Sequence, residues 1–234
     1  MTLLHNPTVE LAGWTEYRTP TSINWEPDAD GGQALAELAS RLCYRSHRKP
    51  NPATATNATY LANILRQRHE SVFEHASVTF YVAGVSRTLL TELSRHRHIS
   101  LSVVSQRYVD ESQANMIVPP AVDSDDMVKA ILSDCDNRSR AVYETLVKHL
   151  TAEGLPRKQA REVARSVLPN MTETQFFVTA NLRAWRDVLG RRWHVAADAE
   201  IRRWAGLVLD ELRKYAPNVF QDFPADPFGS EGQS

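Results

Sequence analysis

An α+β fold, one domain with a small sheet and several long helices, is what the 234-residue sequence predicts, and three observations predict it. Apolar residues recur at helical spacing in long stretches, as at Leu35, Leu38 and Leu42 and at Ile201, Ala205, Val208 and Leu212. Two shorter stretches, 76–83 and 174–180, read as strands; in the first, Val78, Phe80 and Val82 alternate with Thr79, Tyr81 and Ala83. No internal repeat or long low-complexity run divides the chain. Its length suits one buried core, so residues 1–223 are expected to form a single domain. Residues 224–234, rich in Gly, Ser, Asp and Pro, are expected as a disordered tail.

Bulk properties narrow the class. An apolar content of 42% and a charged content of 24% are those of an ordinary soluble protein. A net charge of -1 argues against a non-specific nucleic-acid binder, so any positive charge is local. Cys43 and Cys135 show neither metal nor redox spacing and no disulfide framework. No apolar run approaches membrane-spanning length, and the start has no basic and apolar leader pattern. A cytoplasmic protein with no nucleic-acid or membrane partner is the expectation.

Along the chain, a short strand is expected near Val9–Leu11, followed by an irregular arm with Pro20 and Pro27. A helix runs from Gly32 to about Tyr44, and the basic, proline-broken loop from His47 through Lys49 and Pro50 to Pro52 is either a solvated loop or a substrate-facing lid. Thr54 or Thr56 caps a helix burying Leu61, Ile64 and Leu65 and ending near Arg68. The stretch from His69 to His75 lacks a second histidine at Phe73 or at Ser71, so a zinc helix is disfavoured. Gly84 is expected to end the next strand and Ser86 to cap a helix burying Leu89, Leu90 and Leu93; Arg87 on it either faces solvent, the preferred reading, or extends the positive surface that Arg95 begins. Beyond Pro119-Pro120, an apolar stripe of Met127, Ile131, Leu132, Cys135, Val142, Leu146 and Leu150 predicts a long helix over 126–151, with Cys135 in the core. Pro156 opens another helix, ended by Leu168-Pro169, on which Arg157 and Lys158 are expected to be solvated. A helix through Arg192 and a last one over 198–215, stopped by Pro217, complete the expected elements.

The densest chemistry lies between Arg95 and Tyr108, where Arg95, His96, Arg97, His98, Ser100, Ser102, Ser105 and Arg107 occur with no acidic residue among them. Guanidinium forks with hydroxyls are suited to phosphate and pyrimidine oxygens. The plainer alternative is an exposed basic turn after a helix.

This stretch resembles the signature of the flavin-dependent thymidylate synthases, an Arg-His-Arg triplet followed after seven residues by a serine, as in Arg95-His96-Arg97 and Ser105. Ser105-Gln106-Arg107-Tyr108 extends the likeness, His98 resembles the actinobacterial branch, and Ala164-Arg165-Ser166-Val167-Leu168-Pro169 resembles a second family motif. The resemblance implies FAD as cofactor, NADPH and methylenetetrahydrofolate as co-substrates, dUMP as substrate, and a homotetramer whose sites are shared between subunits. It implies Arg192 against the pyrimidine, where it activates the ring, and Glu92, Arg95, Ser105, Gln106, Arg107 and Arg165 at the nucleotide, with Arg165 reaching a neighbouring subunit's nucleotide. At the flavin it implies Ser71, Arg95, His96, Arg97, Val103, Asn181, Arg183 and Asp187. No general base stands at fixed spacing from Ser105, so it reads as a binding and polarising group, and neither cysteine has a nucleophile's setting.

Three positions depart from the family pattern. Val103 replaces a polar residue, Asp187 replaces an asparagine or histidine, and Ala196 stands where a histidine follows Arg192, with His194 two residues early. Asp187 is unfavourable beside a pyrophosphate unless Arg183 or Arg186 pairs with it, so weaker flavin retention is expected. The competing readings are a nucleotide- or RNA-binding module using Tyr108 as a stacking platform, and a catalytically decayed paralogue keeping the nucleotide pocket.

Overall fold

The computed structural model describes residues 3–4, 6–48 and 51–230, so Lys49 and Pro50 of the proline-broken loop lie outside the described residues. β1 (Leu3–Leu4) precedes β2 (Thr8–Trp14). In α1 (Gly31–Cys43) the buried face is Ala34, Ala36 and Leu38, and Leu42 is exposed. That face also buries a charged pair. Arg41 Nε donates to Glu37 Oε1 at 2.6 Å and its Nη2 to Thr54 O at 2.8 Å.

Thr56 caps α2 (Asn57–Arg66), accepting from Thr59 N at 3.3 Å. A 3₁₀ turn over Glu70–His75 then buries Phe73 and feeds β3 (Ser77–Ser86). Here the expectation fails: Gly84 does not end the strand. Its φ of 69° is one that glycine alone holds without strain, and its N–H donates to Glu173 Oε1 at 3.1 Å, so the strand passes through. A Cβ at Gly84 would approach Asn6 O to 2.8 Å.

Ser86 accepts from Leu89 N at 3.1 Å to start α3 (Arg87–Leu93), which β4 (Ile99–Val103) and β5 (Met116–Ile117) follow. Asp125 caps α4 (Asp126–Ala152), accepting from Val128 N at 3.0 Å. Pro156 precedes α5 (Arg157–Ala164), which tightens into a 3₁₀ turn at Arg165–Val167. β6 (Glu173–Asn181) leads directly into α6 (Leu182–Arg192), and α7 (Ala199–Tyr215) starts behind Asp198. The larger sheet has the order β2-β3-β6-β4, and β1 pairs in parallel with β5, Leu3 opposite Met116.

The chain divides into two compact units, the first comprising Met1–Thr8, Val82–Arg95 and Ser102–Phe176, the second Val9–Tyr81, His96–Leu101 and Phe177–Ser234. In the first unit, Leu89, Leu93, Met116, Ala160 and Ala164 are buried, and α4 packs on α5. The face that α4 buries is polar: Asp136, Arg140 and Tyr143. Arg140 Nε donates to Asp136 Oδ2 at 2.6 Å and its Nη1 to Glu111 O at 2.7 Å. The predicted apolar stripe lies elsewhere. Met127 is 75% exposed, Ile131 57% and Val142 47%. Cys135, expected in the core, is exposed with them. The period is helical as expected, but the side chains that α4 buries fully are the polar network, while Leu132, Leu146 and Leu150 of the stripe are half-buried.

In the second unit the core is aromatic. Trp185 Nε1 donates to Val78 O at 3.1 Å, and its ring centroid lies 5.3 Å from Phe80 and 6.3 Å from Trp204. Ile201, Ala205, Val208 and Leu212 of α7 are all buried, as their spacing predicts. Residues 224–230 of the expected tail are held in place. Trp193 Nε1 donates to Pro224 O at 3.2 Å, Phe228 N to Trp193 O at 3.0 Å and Val195 N to Phe228 O at 2.9 Å. The apolar anchors Phe223 and Phe228, ring centroids 5.6 Å apart, outweigh the flexible composition around them. Residues 231–234 lie outside the described residues.

Candidate active site

In the second unit, Glu74, His98, Asn181, Arg183, Ala184 and Asp187 line an open cleft of about 390 Å³. The start of α6 supplies most of it. Asn181 Oδ1 accepts from Ala184 N at 2.8 Å, which caps the helix and leaves its side-chain amide as a donor. Arg183 Nη1 pairs with Glu74 Oε1. A guanidinium, an imidazole and an amide around the positive end of a helix offer donors for phosphate oxygens, against which stand the carboxylates Glu74, paired with Arg183, and Asp187, paired with Arg191. The donors suit the pyrophosphate of the dinucleotide implied by the motif resemblance where Arg183 exchanges Glu74 for it.

Behind this cleft the side chains form a chain of contacts. Arg192 Nε donates to His96 Nε2 at 3.1 Å, and His96 Nδ1 lies 3.4 Å from Asp187 Oδ2. Arg191 Nε donates to Asp187 Oδ1 at 3.0 Å. His96 is buried, and burial is the first cause holding its pKa below the ordinary value; Arg192 pushes the same way and Asp187 opposes both. His96 is thus neutral at pH 7.

In the first unit, Glu92 lies in the last turn of α3, Arg95 in the turn that follows the helix, Val103 ends β4, Ser105, Gln106 and Arg107 lie in the following turn, and Arg165 begins the 3₁₀ turn behind α5. Gln106 is buried. Arg107 Nη1 lies 3.5 Å from Glu162 Oε2, a loose and exposed pair. No carboxylate pairs with Arg95, Arg97 or Arg165 among the described residues. Arg161 braces the end of the motif, donating from Nη1 to Tyr108 O at 2.6 Å and from Nη2 to Asp110 Oδ2 at 2.8 Å. Lys158 is exposed as expected, stands 4.8 Å from the Tyr108 ring centroid and draws its phenol pKa down. Arg87, expected to face solvent, is partly buried. Its Nη1 donates to Thr174 Oγ1 at 3.3 Å; burial lowers its pKa first, Glu111 opposes and Arg165 adds to the lowering.

A profile of the family described as "Thymidylate synthase complementing protein" matches residues 27–218. The chain is 56% identical over 207 residues to the "Probable flavin-dependent thymidylate synthase" of Mycobacterium phage L5, covering 86% of this chain and 83% of that one. The chain belongs to the flavin-dependent thymidylate synthases, a family of enzymes. The "Flavin-dependent thymidylate synthase" of Mycobacterium sp. strain JLS is 49% identical over 230 residues, 94% of this chain and 91% of that one. Among solved structures, a UMP/dUMP methylase PolB from Streptomyces cacaoi, bound with 5-Br dUMP, shares the fold with a TM-score of 0.73 at 24% identity. It covers 97% of this chain and 98% of its own.

Within this synthase family member, the sequence-predicted site residues fall into two groups. Glu92, Arg95, Val103, Ser105, Gln106, Arg107 and Arg165 lie in the first unit. Ser71, His96, Arg97, Asn181, Arg183, Asp187 and Arg192 lie in the second. Direct contact joins Arg192, His96 and Asp187; Asn181, Arg183 and Asp187 share the cleft; Ser71 and Arg97 are exposed. The expected partner of Asp187 is corrected. Arg183 pairs with Glu74, and Arg186 donates from Nη2 to Asp222 Oδ2 at 2.7 Å, so Arg191 and His96 face Asp187 instead. His194 is engaged locally, its Nδ1 accepting from Ala196 N at 3.0 Å. Sequence reasoning missed His98 as a cleft residue and Arg191 as the neutraliser of Asp187. The first was visible as the fourth residue of the alternating run, the second as an i,i+4 pair on a predicted helix.

Proposed function

We propose that this chain converts dUMP to dTMP by reductive methylation, with methylenetetrahydrofolate as carbon donor, NADPH as reductant and FAD as cofactor. The observation that carries the reading is the family match over residues 27–218, within which the Arg95-His96-Arg97 and Ser105 signature stands complete. Asn181, Arg183, Ser71, Arg97 and His96 would hold the FAD, with Val103 and Asp187 beside it. FAD, when bound, supplies the redox chemistry that the side chains cannot.

The protein's own task is position and charge. The C5 carbon of uracil is a poor nucleophile until electron density builds on the ring and its oxygens. Arg192 is the cation that stabilises this charge, in a setting where a fixed donor acts without reorganising. Arg95, Arg107 and Arg165 hold the phosphate; among the described residues no carboxylate pairs with Arg95 or Arg165, and Arg107 has a loose exposed pair to exchange. Glu92 accepts from the sugar, and Ser105 and Gln106 orient the base. Cys43 and Cys135 are exposed thiols outside these groups, which leaves no nucleophilic cysteine in the mechanism.

We further infer that residues 1–223 act as one catalytic domain, that the enzyme is a homotetramer with shared sites, and that it works in the cytoplasm on small molecules. The exposed stripe of Met127, Ile131, Cys135 and Val142 supports assembly, since apolar side chains in a row gain most from a partner surface. No helix of the described residues is long and apolar enough to cross a membrane. The binding-module and decayed-paralogue readings lose ground to the family match.

The test is product formation. Purified chain given FAD, NADPH, methylenetetrahydrofolate and dUMP is expected to yield dTMP by chromatography. Arg192→Ala is expected to lose a factor of roughly 10²–10³, the cost of one charge-stabilising donor. Absence of dTMP under anaerobic conditions with saturating FAD would contradict the reading.

A further inference from the structure

We propose that Asp187 is a positioning residue for Arg192, acting through His96, whose imidazole it holds in the Nδ1–H form so that Nε2 accepts from Arg192 Nε. This deepens the function proposed above and rests on it. A guanidinium has donors and no acceptor, so the 3.1 Å contact from Arg192 Nε requires His96 Nε2 to be unprotonated. The single proton of a neutral imidazole then sits on Nδ1, which faces Asp187 Oδ2 at 3.4 Å. The other tautomer would set an N–H against an N–H and leave Nδ1 as an acceptor before a carboxylate.

The carboxylate is itself fixed. Arg191 reaches Oδ1 through both Nε and Nη2, each at 3.0 Å, which sets the rotation of the group and leaves Oδ2 toward the imidazole. Asp187, Arg191 and Arg192 all belong to α6, so one rigid helix carries both ends of the relay. His96 is only 8% exposed, so solvent does not replace Asp187 as the acceptor. A hydrogen bond at Nε, the branch point of the arginine, restrains the plane of the guanidinium and not only its distance.

Among the described residues, Asp187, Arg191 and Arg192 are charged groups that act on His96. Its pKa lies below the ordinary 6.5, chiefly by burial and next by Arg192, with Asp187 raising it. Removal of Asp187 lowers that pKa further, while removing what selects the tautomer.

The test uses the full-length holoenzyme labelled with ¹⁵N-histidine. Long-range ¹H–¹⁵N spectra report the tautomer of each imidazole, and His96→Gln assigns the signal. Wild type is expected to show His96 protonated at Nδ1 alone; Asp187→Ala is expected to show a mixed or reversed tautomer at unchanged melting temperature, with kcat for dTMP lower by about tenfold, the scale of one hydrogen bond to a charged group. In a His96→Gln background, where the amide oxygen accepts from Arg192 unaided, Asp187→Ala is expected to add almost nothing. A His96 proton on Nε2 in wild type, an unchanged tautomer in Asp187→Ala, or an equal penalty in both backgrounds would overturn the relay. The tautomer readouts do not depend on the reaction: a wild type that makes no dTMP but shows the tautomer switch refutes the proposed function and leaves the relay standing.

Discussion

α4 and α7 carry the same sequence signal and meet opposite fates. Both repeat apolar residues at helical spacing, yet α7 buries Ile201, Ala205, Val208 and Leu212 while α4 leaves Met127, Ile131 and Val142 exposed and buries Asp136, Arg140 and Tyr143. A period says that a helix has an apolar side. It does not say what covers that side, and in α4 the cover is expected from another copy of the chain.

The largest effect expected from this contrast is on α7. Trp204→Ala removes a fully buried ring beside Trp185 and is expected to cost about 4 kcal/mol of unfolding free energy in a urea titration. A loss of under about 1 kcal/mol would mean that α7 does not anchor the aromatic core. Next comes the inward face of α4. Asp136→Asn leaves Arg140 buried with a weakened partner and is expected to cost about 3 kcal/mol, more than any change along the apolar stripe.

The cap of α4 ranks third. Asp125→Ala frees the Val128 N–H and is expected to cost about 1 kcal/mol. The smallest change in subunit stability sharpens the contrast most: Ile131→Asp is expected to alter it by no more than ~0.5 kcal/mol, as an exposed substitution does, while lowering the molecular mass seen by light scattering. An unchanged mass would remove the stripe from the assembly surface.

The same logic explains what was legible in the sequence. Ser86 and Thr56, one of two threonines expected to cap α2, act within one turn of the chain, so residue type pointed to them; the caps at Asp125 and Asn181 show only in the structure. The Arg95-His96-Arg97 and Ser105 spacing identified the family because it records chemistry rather than packing. The i,i+4 spacing offered Arg191 as a partner of Asp187 but did not exclude its rivals. Asp187 has arginines at 183, 186, 191 and 192 on its own helix, and only the three-dimensional positions of Glu74 and Asp222 remove two of them as partners. The strand's passage through Gly84 was hidden likewise, since it depends on Glu173, distant in sequence.

The most direct measurement is an anaerobic absorption spectrum of the purified protein with FAD, before and after NADPH and dUMP are added. A flavin that bleaches with NADPH, at a rate that dUMP changes, is the expected result, because cofactor and nucleotide would then share one site. A protein that takes up no flavin, or whose flavin ignores both additions, would contradict the assignment of the Arg192 and His96 cluster to thymidylate chemistry.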